Sequence, residues 1–280
     1  MPRILITGLV VLLYGCSGEM PSDHLEISYI ANAGVRFRSG DTTVFSDAFF
    51  NIAVPPGVPP RLHDHLSRED ELRLESGQTP FGCADLILVT HEHDDHYTSD
   101  AVRNHLEHCE QALVVMPADL SGKDRSQYPA LDADRIFGLD AEDRPLYIDS
   151  QSDSLTVLPI ALKHSNDPEG NMPHLGYLLT LAQFRVLILG DADTPGENLD
   201  HLQDTGIRNP DVAVIPYWWV TDTNTRGVLS QGIRPRLLVP VHLNRGNRSE
   251  LVPAINQVAG EFEWVEVPNS LLETVAIGLP

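Results

Sequence analysis

Residues 91–96 read His-Glu-His-Asp-Asp-His and follow directly on the apolar run 84–90. A run of this kind, without regular polar alternation, is expected of a strand covered on both faces. The chain must therefore supply packing layers on either side of it. His91 and His93 stand two apart at the strand end, so in extended backbone both side chains project to the same side. Asp95 and His96 fall in the turn into the next helix, where the change of direction aims them at a second point close by. One short segment can thus serve two cations. Imidazole nitrogens combined with one or two carboxylate oxygens suit zinc, with manganese or iron as alternatives, better than calcium or magnesium. A lone histidine is most often structural. Three histidines and an aspartate in six consecutive residues at a strand end do not fit that pattern.

The rest of the chain is consistent with a layered protein. Residues 25–31, 33–38 and 42–47 alternate apolar and polar positions around Asn32-Ala33-Gly34 and Ser39-Gly40-Asp41, which predicts an antiparallel meander with tight turns. Pro55, Pro56, Pro59 and Pro60 exclude a helix or central strand over 51–63, and a short surface helix is expected within 64–76. Thr98 or Ser99 can cap a helix whose apolar positions Ala101, Val102, Leu106 and Cys109 recur at helical spacing, with a strand over 112–116 after it. Strands are expected over 155–161, 176–181 and 185–189. In the last third strand and helix alternate, through 212–215, 237–241, 251–258 and 264–267. The order predicts an α/β (α+β) chain in which two sheets pack face to face with helices outside.

Residues 91–96 resemble the HxHxDH signature of the metallo-β-lactamase superfamily, and later elements extend the resemblance over about residues 25–278. Its third histidine corresponds to His164, after a strand ending near Lys163. Its bridging aspartate corresponds to Asp191, which ends Leu187-Ile188-Leu189-Gly190-Asp191. Its last histidine corresponds to His242, in Leu238-Val239-Pro240-Val241-His242. The resemblance implies a four-layer αββα sandwich with two divalent metal ions. One takes His91, His93 and His164, the other Asp95, His96 and His242, and Asp191 joins them. It also implies catalysis by a shared, activated water, with Asp95 among the catalytic groups. No Ser-His-Asp or Cys-His arrangement is needed.

Asp47 resembles the aspartate that this superfamily places behind the metal ligands, although Ala48 stands where proline is usual. Orienting a ligand histidine and serving as a plain turn residue are its two readings. Tyr217, Trp218 and Trp219 follow the strand 212–215; in the resembling fold such a loop lies at the mouth of the site and would form an apolar wall for substrate. Aromatics buried under a loop are the alternative. His174, ahead of the strand 176–181, is either a donor to the leaving group or a structural histidine. The forms Tyr29-Ile30-Ala31-Asn32-Ala33-Gly34, Thr90-His91-Glu92-His93 and Val239-Pro240-Val241-His242 look most like the branch with L-ascorbate-6-phosphate lactonase and the N-acylphosphatidylethanolamine phospholipase D enzymes. That branch implies a phosphoester, lactone or related small or lipid-like ester. Asp191 argues against the zinc β-lactamases that use cysteine or histidine there, and Tyr97-Thr98 replaces the Gly-Gly usual in glyoxalase II.

With 40 acidic against 19 basic side chains the formal charge is −21, which repels nucleic acid and anionic membrane surfaces. The apolar residues 4–13 are too few to span a bilayer and read as an export signal. Leu13-Tyr14-Gly15-Cys16 resembles a bacterial lipobox, with Tyr14 where a small residue is usual, so Cys16 is a candidate for lipidation. The expected plan is a signal peptide over 1–15, a tether over 16–24 and a hydrolase domain over 25–280. The protein would then be periplasmic or an outer-membrane lipoprotein, touching the membrane only through its anchor. An ordinary signal peptide and a buried N-terminal strand are the other readings. Cys83 and Cys109 each precede the amino end of a strand, and the helix between them makes those strands parallel neighbours, so the two thiols should lie within disulfide reach. A metal- or ligand-binding surface lipoprotein without turnover is the competing function class.

Overall fold

The computed structural model describes residues 23–50, 64–127, 133–149, 154–167, 169–194, 196–243, 246 and 248–279. The expectations for the signal segment, Cys16 and the proline-rich stretch 51–63 lie outside them. The first half of the chain gives β1 (His24–Ala31), β2 (Gly34–Ser39), β3 (Thr42–Ser46), β4 (Leu86–Leu88), β5 (Leu113–Pro117) and β6 (Ile136–Leu139). A second series follows: β7 (Leu146–Asp149), β8 (Ser154–Ala161), β9 (Leu175–Leu181), β10 (Phe184–Ile188), β11 (Val212–Pro216) and β12 (Leu237–Val241). A last strand, β13 (Thr274–Gly278), returns to the first sheet. The two sheets run β13-β1-β2-β3-β4-β5-β6 and β12-β11-β10-β9-β8-β7. Helices α1 (Arg68–Glu75), α2 (Ser99–His108), α3 (Ala118–Gln127), α4 (Gly196–Asp204), α5 (Tyr217–Thr221), α6 (Thr223–Gly227) and α7 (Arg248–Val258) join them. Among the described residues no helix is long and apolar enough to cross a membrane.

The four layers follow from the pleat. Successive side chains of a strand point to opposite faces, so a strand apolar at every position needs a core on each side. Leu86 and Leu88 pack with Phe37, Tyr177, Val186 and Val214 between the two sheets, whereas Ile87 and Val89 face Val102 and Leu106 of α2. In the second sheet Val186 and Ile188 point inward, while Leu187 and Leu189 face Leu202 of α4, Trp219 of α5 and Ile255 of α7. Three apolar layers therefore separate helices, sheet, sheet and helices, as the αββα expectation requires.

Side chains add to the backbone hydrogen bonds at both ends of β4. Asp85 Oδ2 accepts from Thr43 N (2.8 Å), and Asp47 Oδ1 accepts from Thr90 N (2.8 Å). Residues 264–267, expected as a strand, contribute only an isolated bridge from Val265 to Leu238. β1 begins at His24, which pairs with Gly278 of β13.

Cys83 and Cys109 are bonded, with Cα atoms 5.6 Å apart. The cause is the one expected: β4 and β5 pair in parallel, and α2 returns the chain to the starting edge of β5.

Candidate metal centre

Strands β10, β11 and β12 are mutually parallel, and β8 runs with them because β9 is antiparallel to both β8 and β10. Their carboxyl ends therefore share one edge of the second sheet. His164 follows β8, Asp191 follows β10 and His242 follows β12, while residues 91–96 reach the same place from β4. One potential ligand atom from each of His91, His93, His164 and Asp191 lies within 4.8 Å of the others; Asp95, His96 and His242 form a second such group. Asp191 joins the two groups. Its Oδ1 is 3.2 Å from His96 Nε2, and its Oδ2 is 3.2 Å from His242 Nε2 and 3.8 Å from His164 Nε2. The structure thus brings together all seven side chains expected from the sequence.

The hydrogen bonds behind these rings decide which nitrogens carry lone pairs. Thr90 Oγ1 donates to Asp47 Oδ2 (2.7 Å), so at 2.9 Å it can only accept from His91 Nδ1. His96 Nδ1 donates to Asp47 Oδ2 (3.1 Å), and His164 Nδ1 donates to the Ser165 carbonyl. All three rings therefore turn Nε2 inward, and on His91 and His164, which burial keeps neutral, that nitrogen carries no proton. His91 Nε2 and His164 Nε2 then face each other at 3.2 Å with a lone pair on each, an arrangement that calls for a cation between them. His96 Nε2 and Asp191 Oδ1 are buried, and neither has a hydrogen-bond partner. The donor set and these orphaned atoms fit divalent metal ions. Asp47 thus stands behind His96 and also holds Thr90, a contributor the sequence reading missed.

Backbone contacts lock the edge. Ser165 N donates to the Asp191 carbonyl (2.8 Å), and the indoles of Trp218 and Trp219 both donate to the Ala192 carbonyl (2.9 and 2.8 Å). Gly190 has φ of 54°, and a Cβ there would stand 2.6 Å from Thr90 Oγ1 and 2.7 Å from His174 Nε2, so only glycine allows this approach.

Two expected roles need correction. His174 has no nitrogen free for a leaving group: Nδ1 donates to the Leu162 carbonyl (3.2 Å) and Nε2 accepts from Asp191 N (3.1 Å). Burial lowers its pKa to about 3, so it is neutral and fixes the backbone of Asp191. Trp219 is completely buried in the outer core of the second sheet and forms no wall of the cleft. Tyr217 and Trp218 do line it, and the segment is a short helix rather than a loop. Trp218 packs edge-on against His242, with ring centroids 5.2 Å apart. The cleft, of about 760 Å³, also takes in Ser165, Asn166, Asp193, Thr194, Thr221 and Asp222.

A family model described as Beta-lactamase superfamily domain matches residues 26–242. The chain belongs to this superfamily. Its fold is similar to that of Igni18, a metallo hydrolase from the archaeon Ignicoccus hospitalis, at 20% identity and a TM-score of 0.64, covering 92% of this chain and 100% of that one. A possible metal-dependent hydrolase from Veillonella parvula matches at 15% identity and a TM-score of 0.61, over 92% of this chain and 99% of its own. An isothiocyanate hydrolase from Delia radicum gut bacteria matches at 14% identity and a TM-score of 0.60, over 91% and 100%. No curated protein matches the sequence significantly. The family model carries the superfamily assignment, and the solved structures show the shared fold.

The charges of the cluster make metal uptake dependent on pH. Burial acts against charge on His96 and His242, but Asp191, with Asp47 and Asp95 respectively, outweighs it. His96 rises well above the ordinary imidazole value, and His242 rises to about 9. A cation takes imidazole only without its proton. Loading the metal-stripped protein should therefore release protons, and apparent affinity should rise about tenfold per pH unit for each proton displaced, up to about pH 9. Titrations in buffers of different pH measure this, and a flat profile would contradict it.

Proposed function

We propose that the chain is a hydrolase acting through two divalent cations, zinc first with manganese or iron as alternatives. His91, His93 and His164 would hold one, Asp95, His96 and His242 the other, and Asp191 both. The carrying observation is the facing pair of ring nitrogens on His91 and His164 beside the orphaned Asp191 Oδ1. Two cations so held supply a water of lowered pKa and charge to stabilise a developing oxyanion. The protein's own residues orient and select.

Tyr217 and Trp218 offer an apolar wall beside His242. Asp193 and Asp222 add acidic groups, and the described lining holds no lysine or arginine of the kind that clamps a phosphate. This supports an uncharged ester or lactone above a phosphoester, within the range implied by the lactonase and phospholipase resemblance. The apolar residues 4–13 ahead of Cys16, together with the Cys83–Cys109 bond, support an exported protein.

The test is a panel of nitrophenyl carboxylate esters, lactones, a nitrophenyl phosphodiester and a β-lactam, assayed with and without chelator. Chelator-sensitive hydrolysis of the uncharged esters or lactones, faster than that of the phosphodiester, is expected. Preference for the phosphodiester would overturn the substrate reading. No turnover by metal-loaded protein would leave a binding lipoprotein.

A further inference from the structure

Asn32 closes the turn between β1 and β2 and is completely buried. It lies on none of the segments that carry the seven ligands. Its amide nitrogen donates to Asp95 Oδ2 (3.0 Å) and to the Asp95 carbonyl (3.1 Å). Both partners are acceptors, so only the nitrogen of the amide can face them. The Asn32 carbonyl in turn accepts from His242 N (3.0 Å).

Asp95 and His242 reach the centre from different sheets and approach each other, His242 Nε2 standing 3.4 Å from Asp95 Oδ2. Neither is held by its own strand at that point. Asp95 lies in an irregular turn, and His242 adopts a left-handed backbone with φ of 63°, which a non-glycine residue keeps only when its surroundings impose it. Asn32, itself left-handed at φ of 50°, is a residue type that tolerates this conformation while offering a side-chain donor. One buried residue therefore grips two of the four ligands of a single proposed ion.

We propose that Asn32 is a positioning residue for the second ion, setting the carboxylate of Asp95 through its amide and the backbone of His242 through its carbonyl. This rests on the two-metal reading. It predicts a selective effect, because the group formed by His91, His93 and His164 receives no hydrogen bond from Asn32 that the structure shows.

Asn32→Gly tests it, since glycine accepts the same φ and keeps the carbonyl, removing the amide alone. Stepwise metal titration of stripped protein against a chromophoric chelator should leave the first ion's affinity within about twofold of wild type. The second should weaken by about 10–100-fold, the usual effect of losing an outer-shell partner. In an Asp95→Ala background the glycine should have no further effect on the second ion. Asn32→Ser, whose hydroxyl is too short to reach Asp95, gives the same comparison should the glycine variant not fold. Retention of both ions at wild-type affinity, or equal loss of both, would overturn the proposal. Wild-type protein that binds only one ion would overturn the two-metal reading instead.

Discussion

Asp191→Ala should lose metal from both halves of the centre at once and reduce hydrolysis by on the order of 10³-fold or more, the scale of losing a preorganised charge at a reacting centre. No other ligand has carboxylate oxygens near both histidine groups, one 3.2 Å from His96 and the other 3.2 Å from His242 and 3.8 Å from His164. Burial pushes the Asp191 carboxyl up, yet His96 and His242 outweigh it and hold its pKa well below the usual carboxylate range. The group stays anionic, as a bridging ligand must. Asp191→Asn keeps the shape and loses the charge, and it should fall nearly as far. Metal analysis beside turnover checks both variants; full metal content with lost activity would show that Asp191 does not bridge. Because His174 holds the Asp191 backbone, removing it should cost metal as well as turnover.

Cleaving the Cys83–Cys109 bond should be the largest change in stability that leaves the centre intact. It joins residues separated by 26 in sequence, and chain entropy for a loop of that size corresponds to about 3.5 kcal/mol. For a chain of this length that shifts the melting temperature by roughly 10 °C. The bond lies at the start of β4, whereas the ligands follow its end, so Cys83→Ser with Cys109→Ser should keep its metal. Gly77 provides an independent check. A Cβ there would stand 2.5 Å from Cys109 Sγ and 2.6 Å from Cys83 Sγ at a φ of +63°, so Gly77→Ala should destabilise the oxidised protein too. Thermal melts with and without reductant measure both effects; melts unchanged by reduction would contradict the first.

The elements legible in the sequence are those whose physics is local. Alternation marked β1 to β3, a doubly apolar run marked β4, and helical spacing before Cys109 marked α2. His91, His93, Asp95 and His96 were legible as a cluster at a strand end, whereas His164, Asp191 and His242 were legible only through the superfamily resemblance. What was lost depends on neighbours far along the chain. β13 has exposed positions and becomes a strand by pairing with β1. β6 and β7 are four-residue edge strands without a clear pattern. Tyr217, Trp218 and Trp219 looked alike, but the turn of α5 sends Trp219 into the core and leaves the other two at the cleft. His174 looked like a donor because no sequence shows that a backbone carbonyl and a backbone N–H already use both of its nitrogens. Asn32 read as an ordinary turn residue, and its two partners lie in distant segments.

The central claim is tested most directly by anomalous diffraction from crystals of the zinc-loaded protein. Two peaks roughly 3.5–4 Å apart are expected on either side of the Asp191 carboxylate, one against His91, His93 and His164 and the other against Asp95, His96 and His242. A single peak, or peaks away from these residues, would contradict it.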